Sequence, residues 1–244
     1  MVVVFDIGNS NIHIGLYRNR KLIRRMISPT RRKISRVKIG NLIKQNKPDG
    51  VVVISVVPHL TKQVIGLSRM YNIKPMIISS RLECGIKYSY RSPATLGADR
   101  ISAAIGALSL YDRDVIVVDA GSATTIDVIT RNGNHLGGII CPGMYMLSEV
   151  MHQKTAQLPK VKVVAPVNLI GKSTGECMRS GIFNGTIMMI RGLIQAVKKQ
   201  TKHDFYCVAT GGAGRLLARY VGEIDEYNED LCLYGALEIF YRNA

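Results

Sequence analysis

One pattern constrains this chain more than any other: an apolar strand, then Asp, any residue, Gly and a small polar run. It occurs twice, 113 residues apart. The first copy is Val2-Val3-Val4-Phe5-Asp6-Ile7-Gly8-Asn9-Ser10-Asn11, and the second is Val115-Ile116-Val117-Val118-Asp119-Ala120-Gly121-Ser122-Ala123-Thr124. Each predicts a buried strand that runs into a carboxylate, turns on glycine and returns as a second strand. Gly8 would permit a tight turn with positive φ. Such a turn can hold backbone N–H groups and hydroxyls against a phosphate, with the Asp placed to bind a cation. A plain hairpin uses Asn and Gly too. The second copy favours the phosphate. Two copies suggest two similar domains facing one nucleotide, residues 1–112 and 113–244.

At 244 residues, 47% of them hydrophobic, the chain can supply the cores of two such domains. It has no run of about 18 uncharged apolar residues, which argues against a transmembrane helix. The N-terminus reads directly as a strand, which argues against a signal peptide. The cysteines, Cys84, Cys141, Cys177, Cys207 and Cys232, are scattered and form no Cys-x-x-Cys pair. That pattern indicates neither zinc nor disulfides and fits reduced thiols in the cytoplasm. Net charge is +16, and residues 18–47 hold twelve Lys or Arg and no acid. Nucleic-acid binding is one reading of this run. Attraction of anionic substrates is the plainer one, because Leu22, Ile23, Met26, Ile27, Ile34, Val37 and Ile39 interleave the charges as in a folded strand and helix.

Strands are predicted at 2–6, 11–17 and 21–27. In the second, Ile12, Ile14 and Leu16 point one way and His13, Gly15 and Tyr17 the other. A helix over 35–47 should stop at Pro48-Asp49-Gly50. Val51–Val57 reads as a strand covered on both faces. A helix near 60–70 and a strand at 75–79 follow, and Gly97–Tyr111 reads as a connecting helix. The second half repeats the opening with strands at 115–119, 124–130 and 135–141. Helices near 145–153 and 174–199, a strand at 205–209, a helix through Tyr220 and a last helix over 229–241 complete it. The alternation after the second turn is displaced by one residue, to Ile126 and Val128. A one-residue insertion in that turn would explain it.

Three further segments carry candidate chemistry. Leu136-Gly137-Gly138-Ile139-Ile140-Cys141-Pro142-Gly143 and Thr210-Gly211-Gly212-Ala213-Gly214 could bring backbone close to a ring or phosphate, or could merely pack strand on helix. Neither forms a P-loop or a dinucleotide fingerprint. Pro93-Ala94-Thr95-Leu96-Gly97-Ala98-Asp99-Arg100 sets an acid beside a base at a helix start. Asp99 could be an N-cap or first-turn acid with Arg100 on a solvated face. Alternatively, Asp99 is a general base beside an anion-binding Arg.

The order of these blocks, with Gly171-Lys172-Ser173-Thr174 after them, resembles type III pantothenate kinases from residue 2 to at least 214. The Gly97–Arg100 block and its spacing to Asp119 are the specific part. The resemblance implies an α/β fold of the actin-like and sugar-kinase ATPase superfamily: duplicated ribonuclease H-like domains with mixed sheets flanked by helices. It implies phosphorylation of pantothenate by ATP, the first step of coenzyme A biosynthesis.

On the same resemblance, Asp6, Ile7, Gly8, Asn9, Ser10, Asn11, Ile12 and His13 would form the first ATP phosphate loop, and Ser122 would touch the phosphates from the second. Asp119 would hold a monovalent cation, potassium or ammonium, with magnesium arriving on ATP. Tyr90, Gly97, Ala98, Asp99, Arg100 and Thr174 would surround pantothenate, and Asp99 would accept the proton of its hydroxyl. A cytoplasmic homodimer without a membrane or nucleic-acid partner is implied. Two departures stand out: Ser122 where Thr is usual, and Gln157 ahead of Leu158-Pro159 where Ala is common. Neither removes a catalytic group. A catalytically idle accessory factor and a kinase for another small alcohol are the competing readings.

Overall fold

The computed structural model describes residues 1–30 and 36–244. Arg31, Arg32, Lys33, Ile34 and Ser35, with the part of the basic run and the helix start expected there, lie outside the described residues. The chain groups into two compact units. Unit 1 comprises Met1–Asp112, Ile129–Gly137 and Asp230–Ala244; unit 2 comprises Arg113–Val128 and Gly138–Glu229.

Unit 1 is built on β1 (Val2–Ile7), β2 (Asn11–Arg18), β3 (Lys21–Pro29), β4 (Gly50–Ser55) and β5 (Met76–Ile77), in the order β3-β2-β1-β4-β5. The hairpin partners β1, β2 and β3 are antiparallel, whereas β4 runs parallel to both β1 and β5. Strand β4 is shorter than the predicted Val51–Val57. The Ser55 hydroxyl accepts the Val57 N–H at 3.0 Å and so bends the chain out of the ladder. Pro58 then opens α2 (Pro58–Met70), a position where its missing N–H costs nothing.

Helix α1 (Arg36–Asn46) ends in a left-handed Lys47 ahead of Pro48. Its Ile39, Leu42 and Ile43 join Leu60 and Val64 of α2 in one core with Val3, Phe5, Ile7, Val51 and Val53. The sheet's other face meets α3 (Ala98–Tyr111) and α7 (Leu231–Asn243). These two helices approach closely at Gly106 and Gly235, where a Cβ would strike the Leu231 and Ser102 carbonyls. The expected connecting helix α3 is therefore a packing element of unit 1. Strand β6 (Lys87–Tyr88), which the apolar pattern did not signal, pairs in parallel with Asn134 and His135 at the start of β9 (Asn134–Pro142).

Unit 2 orders β11 (Glu226–Tyr227), β10 (Tyr206–Thr210), β7 (Val115–Ala120), β8 (Ala123–Ile129) and the rest of β9 side by side. Strand β10 runs parallel to both β7 and β11. Helices α4 (Met144–Lys154), α5 (Thr174–Thr201) and α6 (Gly214–Tyr220) complete the unit. Helix α5 begins in a reciprocal cap. The Ser173 side chain accepts the Glu176 N–H at 3.3 Å, and the Glu176 carboxylate accepts the Lys172 N–H at 2.7 Å. Ile182 of α5 is buried in the unit's core, and Met189, Leu193 and Val197 pack against it.

The two Asp-x-Gly turns differ in length, and the difference corrects the predicted insertion. In the first, the Gly8 N–H donates to the Asn11 carbonyl at 3.0 Å; in the second, the Gly121 N–H donates to the Ala123 carbonyl, also at 3.0 Å. The second turn is one residue shorter. Thr124, Ile126 and Val128 therefore occupy the buried positions that Ile12, Ile14 and Leu16 hold in the first copy.

Candidate functional site

Asp6 and Ile7 close β1, and Asn11, Ile12 and His13 open β2. The register sets Asp6 opposite His13 and Ile7 opposite Ile12. Ile7 and Ile12 are fully buried, so only their main chain can serve a ligand. Asp6 is half-buried, and Asn9, Ser10 and Asn11 are exposed. Gly8 is not among the residues with positive φ, contrary to expectation. Its glycine is explained by crowding: a Cβ would sit 3.2 Å from the Asn11 carbonyl. Sequence reasoning missed Thr30. Its hydroxyl donates to the Gly8 carbonyl at 2.7 Å and its N–H to the Ser10 carbonyl at 2.9 Å. Only the β2–β3 register brings it there, and no local pattern signals that register.

In unit 2, Asp119 is the half-buried penultimate residue of β7, and Ser122 lies in the turn that follows. The two glycine-rich segments converge on this turn. Gly143 donates its N–H to the Ser122 carbonyl at 3.1 Å, and Ala213 donates to the Ala120 carbonyl at 2.9 Å. Gly211 has φ +81°, and a Cβ there would collide with the Asp119 carboxylate and come within 2.9 Å of the Ala120 backbone. Close backbone packing thus explains Gly143 and Gly211. Gly212 meets nothing within 4 Å. The Thr125 hydroxyl is buried with no hydrogen-bond partner among the described residues. Thr125 stands two residues beyond Ala123, as Asp119 stands two before Gly121. Thr174, the first residue of α5, is exposed.

The acid–base pair sits at the start of α3 in unit 1. Gly97 is the N-cap, so Asp99 is a first-turn acid; its Oδ1 accepts the Arg100 N–H at 2.9 Å. Negative charge is favoured there by the helix dipole. Asp99 is half-buried. Arg100 is not on a solvated face: it is only 7% exposed, with its guanidinium 5.8 Å from the Tyr90 ring centroid. Burial of an Arg is uncommon and marks a built environment. Tyr90 in turn meets the fully buried His135 edge-on at 6.3 Å, and the Ser89 N–H bonds the His135 carbonyl at 3.0 Å. His135 is the second residue that sequence reasoning missed, for want of any sign that β6 would pair with β9.

Mixed sheets flanked by helices, with an Asp-x-Gly hairpin in each unit, define an α/β protein with the fold of the actin-like and sugar-kinase class. A solved Sinorhizobium meliloti protein assigned as a 2-dehydro-3-deoxygalactonokinase shares this fold, with a TM-score of 0.59 at 10% identity, covering 98% of this chain and 96% of that one. Within that class the chain belongs to the type III pantothenate kinase family, whose profile matches residues 2–196. The type III pantothenate kinase of Hyphomonas neptunium is 35% identical over 254 residues, spanning 100% of both chains. A solved Campylobacter jejuni protein assigned to the Baf family of transcriptional activators is 25% identical, with a TM-score of 0.62, covering 99% of this chain and 98% of that one.

Proposed function

We propose that this protein transfers the γ-phosphoryl group of ATP to the primary hydroxyl of pantothenate, giving 4'-phosphopantothenate and opening coenzyme A biosynthesis. Beyond family membership, one observation carries the reading: a buried Arg100, its guanidinium 5.8 Å from the Tyr90 ring centroid, directly follows a half-exposed Asp99. A fixed cation of that kind suits the carboxylate of pantothenate. Asp99 is the base. Phosphoryl transfer passes through a loose transition state, so the alcohol loses its proton late and an ordinary carboxylate suffices. A positioned base contributes about 10²–10⁴-fold. Gly97, Ala98, Tyr90 and Thr174 complete the pantothenate contacts.

The main chain and small side chains of Asp6 to His13 hold ATP phosphates, and Ser122 adds a hydroxyl. Kinases of this class use ATP with a divalent metal; magnesium is the ion assigned here. Asp119 holds a monovalent cation, potassium or ammonium. The buried Thr125 hydroxyl, as far from the turn as Asp119, supports a cation nearby. When bound, the cations offset phosphate charge, and the chain's own groups fix the oxygens they neutralise. The +16 net charge attracts both anionic substrates, more so at low salt. We assign the protein to the cytoplasm as a homodimer of two duplicated domains, 1–112 and 113–244. Among the described residues no helix is long and apolar enough to cross a membrane.

The test is direct. Purified protein receives ATP, magnesium, potassium and pantothenate, with Asp99→Asn as control. Phosphopantothenate from the parent alone is the expected result. ATP turnover driven only by another alcohol would replace the substrate. Salt-sensitive DNA binding without turnover would replace the kinase by an accessory factor.

A further inference from the structure

We propose that Thr30 is a positioning residue for the first phosphate loop, setting the direction of its amide donors. The proposal rests on the reading of residues 6–13 as that loop. The hairpin closes on one main-chain bond, Gly8 N–H to the Asn11 carbonyl at 3.0 Å. Asn9 and Ser10 lie between those ends and are exposed. Strand β3 reaches the loop at Pro29, opposite Asn11. Proline has no N–H to donate. The next donor, just past the end of β3, is Thr30, and it donates twice: its N–H to the Ser10 carbonyl at 2.9 Å and its hydroxyl to the Gly8 carbonyl at 2.7 Å.

A trans peptide is planar, with its C=O and N–H pointing opposite ways. Turning the Gly8 carbonyl toward Thr30 therefore turns the Asn9 N–H away from it. The Ser10 carbonyl does the same for the Asn11 N–H. One residue thus turns two amide N–H groups to the side away from itself, where an oxyanion would meet them. Exposed backbone between two short strands would otherwise sample several orientations. Preorganisation removes that ordering cost on binding.

Thr30→Val removes the hydroxyl at nearly constant volume and leaves the main-chain bond. Kd for magnesium-ATP, by calorimetry without pantothenate, and KM for each substrate are the measurements. The expected result is a rise of about five- to tenfold in ATP Kd and KM, with pantothenate KM within about twofold. Thr30→Ser, which keeps the hydroxyl, restores parental ATP values. Parental ATP affinity in Thr30→Val overturns the proposal. So does an equal rise in both KM values, or failure of the serine variant to rescue. If the valine variant does not fold, Thr30→Ala carries the comparison. A parent that binds ATP but leaves pantothenate unchanged would defeat the kinase reading while the Kd comparison still judges Thr30. A parent that does not bind ATP defeats both.

Discussion

Arg100 holds its guanidinium 5.8 Å from the Tyr90 ring centroid while remaining only 7% exposed. The pair converts a charge that sequence reasoning could place on a solvated face into a fixed, desolvated cation. Lysine cannot reproduce it, because an ammonium lacks the planar fork and the stacking face. Arg100→Lys should raise pantothenate KM about five- to thirtyfold, consistent with losing roughly 1–2 kcal/mol of desolvated cation–ring interaction. ATP KM should stay near the parental value. Steady-state kinetics with each substrate varied separately check this, and equal changes in both constants would count against the assignment.

Asp99→Asn should separate chemistry from folding. The amide keeps the side chain's shape and can still accept the Arg100 N–H, a bond of 2.9 Å in the parent. What it loses is basicity, so kcat should fall by about 10²–10⁴-fold. Stability should change by less than about 1 kcal/mol, the usual worth of a first-turn acid. Urea melts alongside kcat measure both.

Gly211→Ala and Gly212→Ala form a matched pair of neighbours. Gly211 has φ +81° and lies against the Asp119 carboxylate and the Ala120 backbone; Gly212 has open space where its Cβ would go. The first substitution should destabilise by about 1–3 kcal/mol and, on the proposed role of Asp119 as the cation ligand, weaken activation by potassium. The second should leave melting temperature and potassium response near parental. Thermal melts and a potassium titration of activity decide, and equal tolerance at both positions would contradict the packing described.

Burial pushes the Cys207 thiol up from 9.0 to about 12. A raised thiol pKa stabilises the folded state fully below the unfolded value near 9 and loses that contribution as pH rises toward 12. Stability in urea should therefore decline across that window, and Cys207→Ala should flatten the slope. Alkylation at pH 8 should label exposed Cys177 quickly and buried Cys207 only on unfolding. Mass spectrometry of the labelled peptides reads this out.

Much of the fold was legible because strand and helix periodicities are local. The start of α3, with Asp99 in its first turn, came from the sequence within a residue or two. The direction of the length change between the twin turns did not. Alternation reports parity alone: adding or removing one residue buries the same face, and only the Gly121–Ala123 bond tells them apart. Thr30 and His135 escaped for another reason. The role of Thr30 depends on the β2–β3 register, which shifts at Leu16/Tyr17, and that of His135 on pairing of the distant strands β6 and β9; strand periodicity encodes neither. The role of Arg100 was half legible. Its neighbour Asp99 marked it, but its burial and its approach to a ring ten residues upstream had no local sign.

The twin hairpins have become rigid by different means. The first is held by two main-chain bonds and by the Thr30 hydroxyl, a group that one methyl-for-hydroxyl exchange can delete while leaving the chain's shape alone. The second is held by the main chain of two other segments pressed against it, at Gly143 and Gly211. A Cβ added at either glycine would meet backbone at 2.5–2.9 Å and wedge the turn open. Mutation should therefore tune the first turn by degrees and damage the second all at once. A saturation screen of both would show graded tolerance at Thr30 and near-uniform rejection at Gly143 and Gly211.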